Sequence, residues 1–156
     1  MVVVFVNVFS TNWVLCKSDK KTIIVDYLHI FNFLVACPQY MNLTDADRKY
    51  GPDTTGSDKC DDTLDGWYRF QGVAGRKMMT TCPSNNKCGG RFTAWLNDDH
   101  PTVAQGSVKK KVCIRTSEPG DCCVNFYFTH VKNCGFFFIY KLLPTFSCVF
   151  RYCSTD

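Results

Sequence analysis

The cysteines constrain this chain more than any other feature. Eleven occur in 156 residues, and ten of them lie between Cys37 and Cys153 at uneven spacing. The Cys-x-x-Cys spacing that is typical of zinc sites and thioredoxin-like redox motifs does not occur. An even set of dispersed cysteines in a small domain predicts disulfides, which persist outside the reducing cytosol. We therefore predict a secreted protein whose bridges supply much of its stability.

The length and composition favour one ordered domain. Hydrophobic residues make up 46% of the chain and aromatic residues 15%, which is enough for a packed core and too much for a disordered segment. The net charge of +4 is modest, and the one basic run, Lys109 to Lys111, lies in a strand-like stretch. We interpret that run as the solvated face of a strand and predict no nucleic-acid partner.

The first 36 residues differ from the rest. Met1 to Phe9 is apolar except for Asn7, and Ile23 to Ala36 is a second apolar stretch that follows three lysines. Neither reaches the roughly 18 apolar residues of a membrane-spanning helix, so no membrane span is predicted. A basic patch, a short apolar core and a small residue at Ala36 resemble a secretory signal.

Cysteine parity supports removal of this segment. Cleavage after Ala36 would discard Cys16 and leave ten cysteines, an even number. The sequence Leu34 to Cys37 also matches a bacterial lipoprotein cleavage box, and a third interpretation is a piece of a longer chain. We predict that residues 1–36 are a signal or a non-native N-terminal segment, and that residues 37–156 form the cysteine-rich domain.

Short strands separated by loops are predicted after Cys37. Residues 66–71 alternate, with Tyr68 and Phe70 on one face and Trp67 and Arg69 on the other, and Arg69 is expected to stack on an aromatic ring. Further strands are predicted at 108–114, 136–143 and 148–153, and in the segment where Val124, Phe126 and Phe128 alternate with other residues as in a half-buried strand. Helical turns are expected within 40–48 and 93–96, and an irregular loop at 51–65.

The pattern of cysteines and aromatic residues resembles a known family. It begins at Cys37, Tyr40 and Leu43 and centres on Gly66-Trp67-Tyr68-Arg69-Phe70; it continues through Trp95-Leu96-Asn97, His100-Pro101 and Cys122-Cys123, and ends at Tyr152-Cys153. This is similar to the cysteine-rich module of uromodulin and the pancreatic secretory granule glycoprotein, which has eight to ten characteristic half-cystines. Together with the strand patterns, the ten cysteines predict a small, disulfide-rich, mainly β domain with short helical turns and five disulfides.

The resemblance also implies particular cysteine pairs. By similarity, the pairs are Cys37 with Cys134, Cys60 with Cys148, Cys82 with Cys122, Cys88 with Cys153, and Cys113 with Cys123. Independently of the family, the adjacent Cys122 and Cys123 are not expected to bridge each other, because bridged residues are usually further apart than the 3.8 Å between neighbouring Cα atoms.

Function is expected to follow the family, with one departure. The resemblance implies a secreted, extracellular, non-enzymatic glycoprotein module for adhesion or recognition, with a protein or glycan partner and no cofactor. In the family this module presents a mannose-rich glycan to microbial lectins. Here Lys141 stands where the glycan-bearing asparagine is expected, and Asn97-Asp98-Asp99 lacks the acceptor motif. The only Asn-x-Ser/Thr motif, Asn42-Leu43-Thr44, predicts a glycan on Asn42.

Catalysis and lectin-type ligand binding are the other functions to consider. Three histidines, His29, His100 and His130, have no nucleophile at a recognisable spacing, so catalysis is not predicted. The alternative function is a carbohydrate- or Ca²⁺-binding lectin, with Trp67 and Trp95 as a sugar platform and loop carboxylates as metal ligands. We expect the two tryptophans to be core residues. The carboxylates of the loop 51–65 are expected to be solvated; they are Asp53, Asp58, Asp61, Asp62 and Asp65.

Overall fold

A computed structural model describes residues 37–116 and 120–156, together with the backbone of three strands within residues 3–26. The chain forms two compact units, Met1–Ala36 and Cys37–Asp156. The predicted cleavage position at Ala36 and the apolar stretch after Asp26 lie outside the described residues. Within the described part, no helix is long and apolar enough to cross a membrane.

The first unit contains a three-stranded antiparallel sheet. Its strands are β1 (Val3–Val8), β2 (Thr11–Ser18) and β3 (Lys21–Asp26), in the order β1-β2-β3. The central strand β2 pairs with both neighbours, with Val3 opposite Cys16 in one pair and Lys21 opposite Ser18 in the other. Runs of valine and isoleucine favour strands because their branched side chains suit a pleated surface. The interpretation of this segment as a signal stays a prediction.

The second unit is built on a seven-stranded mixed sheet with the strand order β11-β7-β8-β9-β10-β5-β4. A separate two-stranded sheet pairs β12 with β6. Two pairs, β4–β5 and β11–β7, are parallel, and the others are antiparallel. The strands are β4 (Met41–Leu43), β5 (Gly66–Phe70), β6 (Lys77–Met78), β7 (Phe92–Leu96), β8 (Ser107–Arg115), β9 (Asn125–Asn133), β10 (Phe138–Leu142), β11 (Phe150–Tyr152) and β12 (Ser154–Thr155).

Helical structure among the described residues is limited to three single 3₁₀ turns. They span Ala46–Arg48, Gly72–Ala74 and Val103–Gln105. The first lies in the segment 40–48, where a helical turn was expected. The fold prediction, a small disulfide-rich and mainly β domain with short helical turns, is therefore confirmed.

The core is built from side chains of the large sheet. Strand β5 turns Tyr68 and Phe70 into it and leaves Trp67 and Arg69 on the opposite face, as the alternation predicts. Arg69 stacks on the ring of Phe137, with its guanidinium carbon 4.0 Å from the ring centre, which confirms the expected cation–π contact. The other strands add the remaining buried members, which include Ala94, Leu96, Val112, Ile114, Val131, Tyr140, Leu142, Phe150 and Tyr152.

Ten cysteines of the second unit form five disulfide pairs, so the predicted number is confirmed. Cα separations in the pairs run from 4.6 to 6.1 Å, within the usual range for bridged residues. The adjacent Cys122 and Cys123 join different segments, as expected for neighbours. The pairs are Cys37–Cys134, Cys60–Cys148, Cys82–Cys122, Cys88–Cys153 and Cys113–Cys123.

The helical turn expected at residues 93–96 is wrong. These residues belong to β7, which is hydrogen-bonded to β8 on one side and to β11 on the other. All four side chains from Thr93 to Leu96 are buried. The local preference of Ala94 and Leu96 for helix is outweighed here, because a central strand satisfies its backbone on both sides while burying both faces.

The buried face of β9 is the one opposite to that predicted from its hydrophobic residues. Phe126 and Phe128 are 55% and 50% exposed, whereas Thr129 and Val131 are buried. Val131 enters the core. The Thr129 hydroxyl donates to the backbone carbonyl of Lys141, and the Tyr127 hydroxyl donates to the Tyr152 hydroxyl. Polar groups with internal partners can be buried at little cost, and this lets the Thr and Tyr side of the strand face inward.

Candidate recognition surfaces

Asn42 lies on the edge strand β4 with its side chain exposed. Its neighbour Leu43 is buried and its carbonyl accepts a hydrogen bond from the Gln71 amide, which fixes the strand in register. Thr44, the third residue of the acceptor motif, is also exposed. The buried side chain of Leu43 thus anchors the motif, and the side chains of Asn42 and Thr44 on either side of it are accessible.

The loop 51–65 is irregular, as predicted, and it is attached to the segment 85–90. The Thr54 amide donates to the carbonyl of Asn86, and the Thr54 hydroxyl accepts from the Gly89 amide at 3.2 Å. The Ser57 hydroxyl donates to the Gly89 carbonyl at 2.9 Å, and Cys60 is bridged to Cys148. Its outer residues remain exposed, so the loop presents a surface on a fixed backbone.

The acidic residues of this loop do not converge on a metal site. Asp53 accepts hydrogen bonds from Thr55, Asp58 pairs with Arg91 at 3.0 Å, and Asp61 is fully buried against Arg48. Asp62 lies close to the sulfurs of Cys60 and Cys148, but these sulfurs form a disulfide and are not thiolate ligands. Calcium ligation requires several oxygens around one point, and these carboxylates are directed to different partners.

The segment 97–106 forms a second anchored loop. Its 3₁₀ turn is capped reciprocally by Thr102 and Gln105, and the Pro101 carbonyl accepts a hydrogen bond from the Asn133 side chain at 2.9 Å. Asp98 pairs with Lys110 at 2.9 Å. Caps and side-chain bonds replace regular structure here, so the exposed residues of the loop are held in place.

His100 joins this loop to the core. Its Nε2 lies 2.8 Å from the hydroxyl of Tyr140, and that hydroxyl also accepts from the Met78 amide at 2.9 Å. The Tyr140 proton is therefore donated to a neutral His100. Burial lowers the pKa of His100 to about 4, the charge of Lys77 adds to this effect, and Asp99 opposes it. The arrangement is a structural anchor, because the Tyr140 hydroxyl both donates and accepts within the protein.

The two tryptophans do not form a common platform. Trp95 is buried, and its indole nitrogen donates to the Cys122 carbonyl at 2.9 Å, so it anchors the core beside a disulfide. Trp67 is half-buried on β5. Four strand spacings separate β7 from β5, a distance of about 19 Å. A sugar ring cannot stack on both residues.

A comparison of the sequence with models of protein families agrees with this architecture. The model of the uromodulin-like domain family matches residues 68–154, a range that runs from within β5 to the start of β12. The chain belongs to the uromodulin-like domain family. The matched range contains eight of the ten paired cysteines, and Cys37 and Cys60 precede it.

Individual relatives agree with the family match. The uromodulin-like chain is 39% identical over 119 residues to the pancreatic secretory granule membrane major glycoprotein GP2 of Canis lupus familiaris, and 36% identical over 121 residues to GP2 of Homo sapiens. It is 34% identical over 119 residues to uromodulin of Rattus norvegicus. Each alignment covers 76% of this chain but only 23%, 22% and 18% of the respective relative. The chain thus spans less than a quarter of the length of these relatives.

Sequence reasoning missed two features of the uromodulin-like domain. The first is the buried ion pair between Arg48 and Asp61, because Asp61 looked like one member of a solvated acidic loop. The second is a hollow lined by Arg69 and Arg76, which come together because of the turn at Gly72–Ala74. No sequence pattern near these residues indicates either feature, because charged side chains are usually solvated.

Proposed function

We propose that this chain is a secreted, non-enzymatic, extracellular recognition module that carries an N-linked glycan on Asn42. The observation that carries the proposal is the uromodulin-like fold with its ten paired cysteines and an accessible acceptor motif on the edge strand. Disulfide-rich small domains belong to oxidising compartments. The relatives named as major glycoproteins of the secretory granule membrane support the same compartment.

The pairing of the cysteines is part of this proposal. The five pairs in the structure are the expected covalent bridges of the secreted protein, and they join segments between 10 and 97 residues apart. Peptide mapping under non-reducing conditions should recover linked peptides for these five pairs. A linked peptide that contains Cys122 joined to Cys113, for example, would contradict the pairing.

The partner is expected to contact the two anchored loops, 51–65 and 97–106. Both have exposed outer residues on a backbone held by internal hydrogen bonds, the arrangement by which rigid scaffolds present binding residues. The glycan at Asn42 differs in position from that expected for the family, since Lys141 occupies the family position. Microbial or cell-surface lectins are therefore expected to bind this module through the glycan on Asn42.

Intact mass spectrometry of protein secreted from animal cells tests the proposal. We expect ten cysteines of the cysteine-rich domain to react with an alkylating agent only after reduction, and a glycosidase-sensitive mass on the wild-type chain. Asn42→Gln should lose that mass, whereas Thr44→Ser should keep it because serine also completes the motif. Free thiols in the secreted protein, or a mass difference between wild type and Asn42→Gln no larger than that of the substitution itself, would contradict the proposal.

A further inference from the structure

Arg69 and Arg76 differ from the other arginines of the uromodulin-like domain. Of the six arginines in residues 37–156, four have side-chain hydrogen bonds or ion pairs: Arg48 with Asp61, Arg91 with Asp58, Arg115 with the Pro83 carbonyl, and Arg151 with Asp45. Among the described residues, the side chains of Arg69 and Arg76 have no hydrogen bond or ion pair. Both line the same hollow.

The hollow has the size of a small ligand site. Its volume is about 350 Å³, and its wall is formed by the end of β5, the turn at 72–75 and the tip of the β9–β10 hairpin. Ligand pockets begin at about 300 Å³, which suits a single sugar ring. The aromatic members are Phe70, Phe136 and Phe137; the remaining lining residues are Arg69, Gln71, Gly72, Gly75 and Arg76.

The Arg69 guanidinium is held in place but incompletely bonded. It lies 4.0 Å from the ring centre of Phe137, and its Nε is buried without a hydrogen-bond partner. A buried donor without a partner is costly, and native structures usually provide one. The terminal nitrogens also have no hydrogen-bond partner among the described residues, and an anionic ligand in the hollow would provide acceptors for them, because a guanidinium binds carboxylate or sulfate oxygens through a planar pair of donors.

The charge of the hollow favours an anion. No carboxylate is among its lining residues. The charge of Arg76 contributes to the lowered pKa of Asp156, but that carboxylate bonds Lys49. Two cationic groups therefore face one cavity whose lining holds no counter-charge, an arrangement that raises the local concentration of anions.

The aromatic rim favours a sugar over a bare anion. Phe136 is fully exposed at the hairpin tip, next to Phe137, which already carries Arg69 on its ring. A large exposed aromatic residue at the mouth of a polar pocket offers an apolar surface beside the charged groups. We propose that this hollow binds an acidic sugar, with its carboxylate or sulfate between Arg69 and Arg76 and its ring against Phe136. This site is separate from the glycan proposed on Asn42.

Titration calorimetry on the full secreted chain tests the site. The probes are N-acetylneuraminic acid as the carboxylate sugar, galactose 6-sulfate as the sulfate sugar, galactose as the neutral sugar and inorganic sulfate as the anion without a ring. We expect at least one acidic sugar to bind with a Kd below about 10 mM and both galactose and inorganic sulfate to bind at least about tenfold more weakly. No binding of either acidic sugar, or equal binding of inorganic sulfate, would overturn the proposal.

Matched variants locate the binding. Arg76 is exposed, so Arg76→Gln should fold and should weaken binding by about tenfold or more. Arg91→Gln removes the same charge from an exposed arginine outside the hollow and should leave binding within about twofold. Equal losses in both variants would indicate a net-charge effect and overturn the site. Phe136→Ser should also weaken binding. An affinity equal to that of the wild type would contradict the role of the ring.

The Asn42 glycan is controlled separately. Asn42 lies opposite Arg69 in the β4–β5 register, so a glycan there would begin near the hollow. The titration is therefore repeated on Asn42→Gln. Binding that persists in this variant supports the site whatever the outcome for the glycan, and binding that disappears with the glycan overturns the assignment to the two arginines.

Discussion

The guanidinium of Arg48 donates through both terminal nitrogens to the carboxylate oxygens of Asp61, and neither side chain exposes more than 5% of its surface. The same carboxylate accepts the Tyr152 amide at 2.9 Å. Burial works against a charge on Arg48, but the hydrogen bonds and charge of Asp61 raise its pKa above the usual value. The pair connects the first 3₁₀ turn, the loop 51–65 and β11.

Removing one charge of this pair should be strongly destabilising. Arg48→Met leaves the Asp61 carboxylate buried without a counter-charge, and we expect a loss of about 3–5 kcal/mol in the free energy of unfolding. Arg91→Met breaks an exposed pair with Asp58 and should cost less than about 1 kcal/mol. Denaturant titration with the disulfides intact measures both. Similar losses in the two variants would show that the buried pair has no special role.

Stability should decrease in mild acid because of His100. Its folded pKa is about 4 against 6.5 in an unfolded chain, so between these values the unfolded chain holds a proton that the folded protein lacks. The contribution is complete above pH 6.5 and is lost as the pH falls towards 4, by about 2 kcal/mol once the partial exposure of the ring is allowed for.

His100→Gln should flatten this part of the pH profile. Melting temperature measured between pH 7 and pH 4 should fall less steeply in the variant than in the wild type. The ring resonances of His100 followed by NMR should titrate near pH 4. A wild-type His100 that titrates near 6.5 would contradict the burial of its ring, which is the main cause of the lowered pKa.

The packing of Arg151 against Gly89 should leave no room for a side chain at position 89. A Cβ at Gly89 would overlap Nη1 of Arg151 and lie 2.9 Å from Oδ2 of Asp47, and φ is +76°. Gly56 has a similar φ of +85° but nothing within 4 Å of its Cβ position. Gly56→Ala should cost about 1 kcal/mol from the backbone alone, and Gly89→Ala at least about 2 kcal/mol more from overpacking.

Thermal unfolding of the two alanine variants measures that difference. Both substitutions replace a hydrogen with a methyl group at a positive φ, so the backbone effect largely cancels in the comparison. Equal melting temperatures would show that Arg151 is not packed against Gly89. A lower expression level of Gly89→Ala, with Gly56→Ala near the wild type, would agree with the expected order.

The orientation of β9 can be tested by substitution on its two faces. Phe128 is half exposed, so Phe128→Thr should change the free energy of unfolding by less than about 1 kcal/mol. Val131 is fully buried in the core, and Val131→Thr should cost about 1–3 kcal/mol because it buries a hydroxyl. The reverse order would mean that the phenylalanines face the core.

The short-range pattern of apolar and polar residues predicted much of this fold. The alternation around Gly66 to Phe70 assigned each of the four side chains from Trp67 to Phe70 to its face, and it anticipated the stacking of Arg69 on a ring. Period-two alternation is informative where one face of a strand is clearly apolar and buried. The ten cysteines of the domain predicted the number of disulfides, and the resemblance to the uromodulin-like family added the pairing, which stays a prediction.

The errors came from positions where partners distant in sequence decide the outcome. Residues 93–96 are a strand because β8 and β11 flank them, and nothing within the segment shows this. The inward face of β9 depends on Tyr152 and on the Lys141 carbonyl, which complete the hydrogen bonds of Tyr127 and Thr129. Tertiary hydrogen bonds can thus reverse an alternation that hydrophobicity alone would assign.

The amino-acid sequence by itself determined the disulfide-rich class, the strand centred on Trp67 to Phe70 and the acceptor motif at Asn42, because these depend on residue type and short spacing. Only the tertiary structure decided that Asp61 is buried against Arg48 and that Arg69 and Arg76 share one hollow. A charged side chain has no fixed environment in the sequence. Its environment is created when distant segments pack, and that packing determines whether the charge is paired, solvated or open to a ligand.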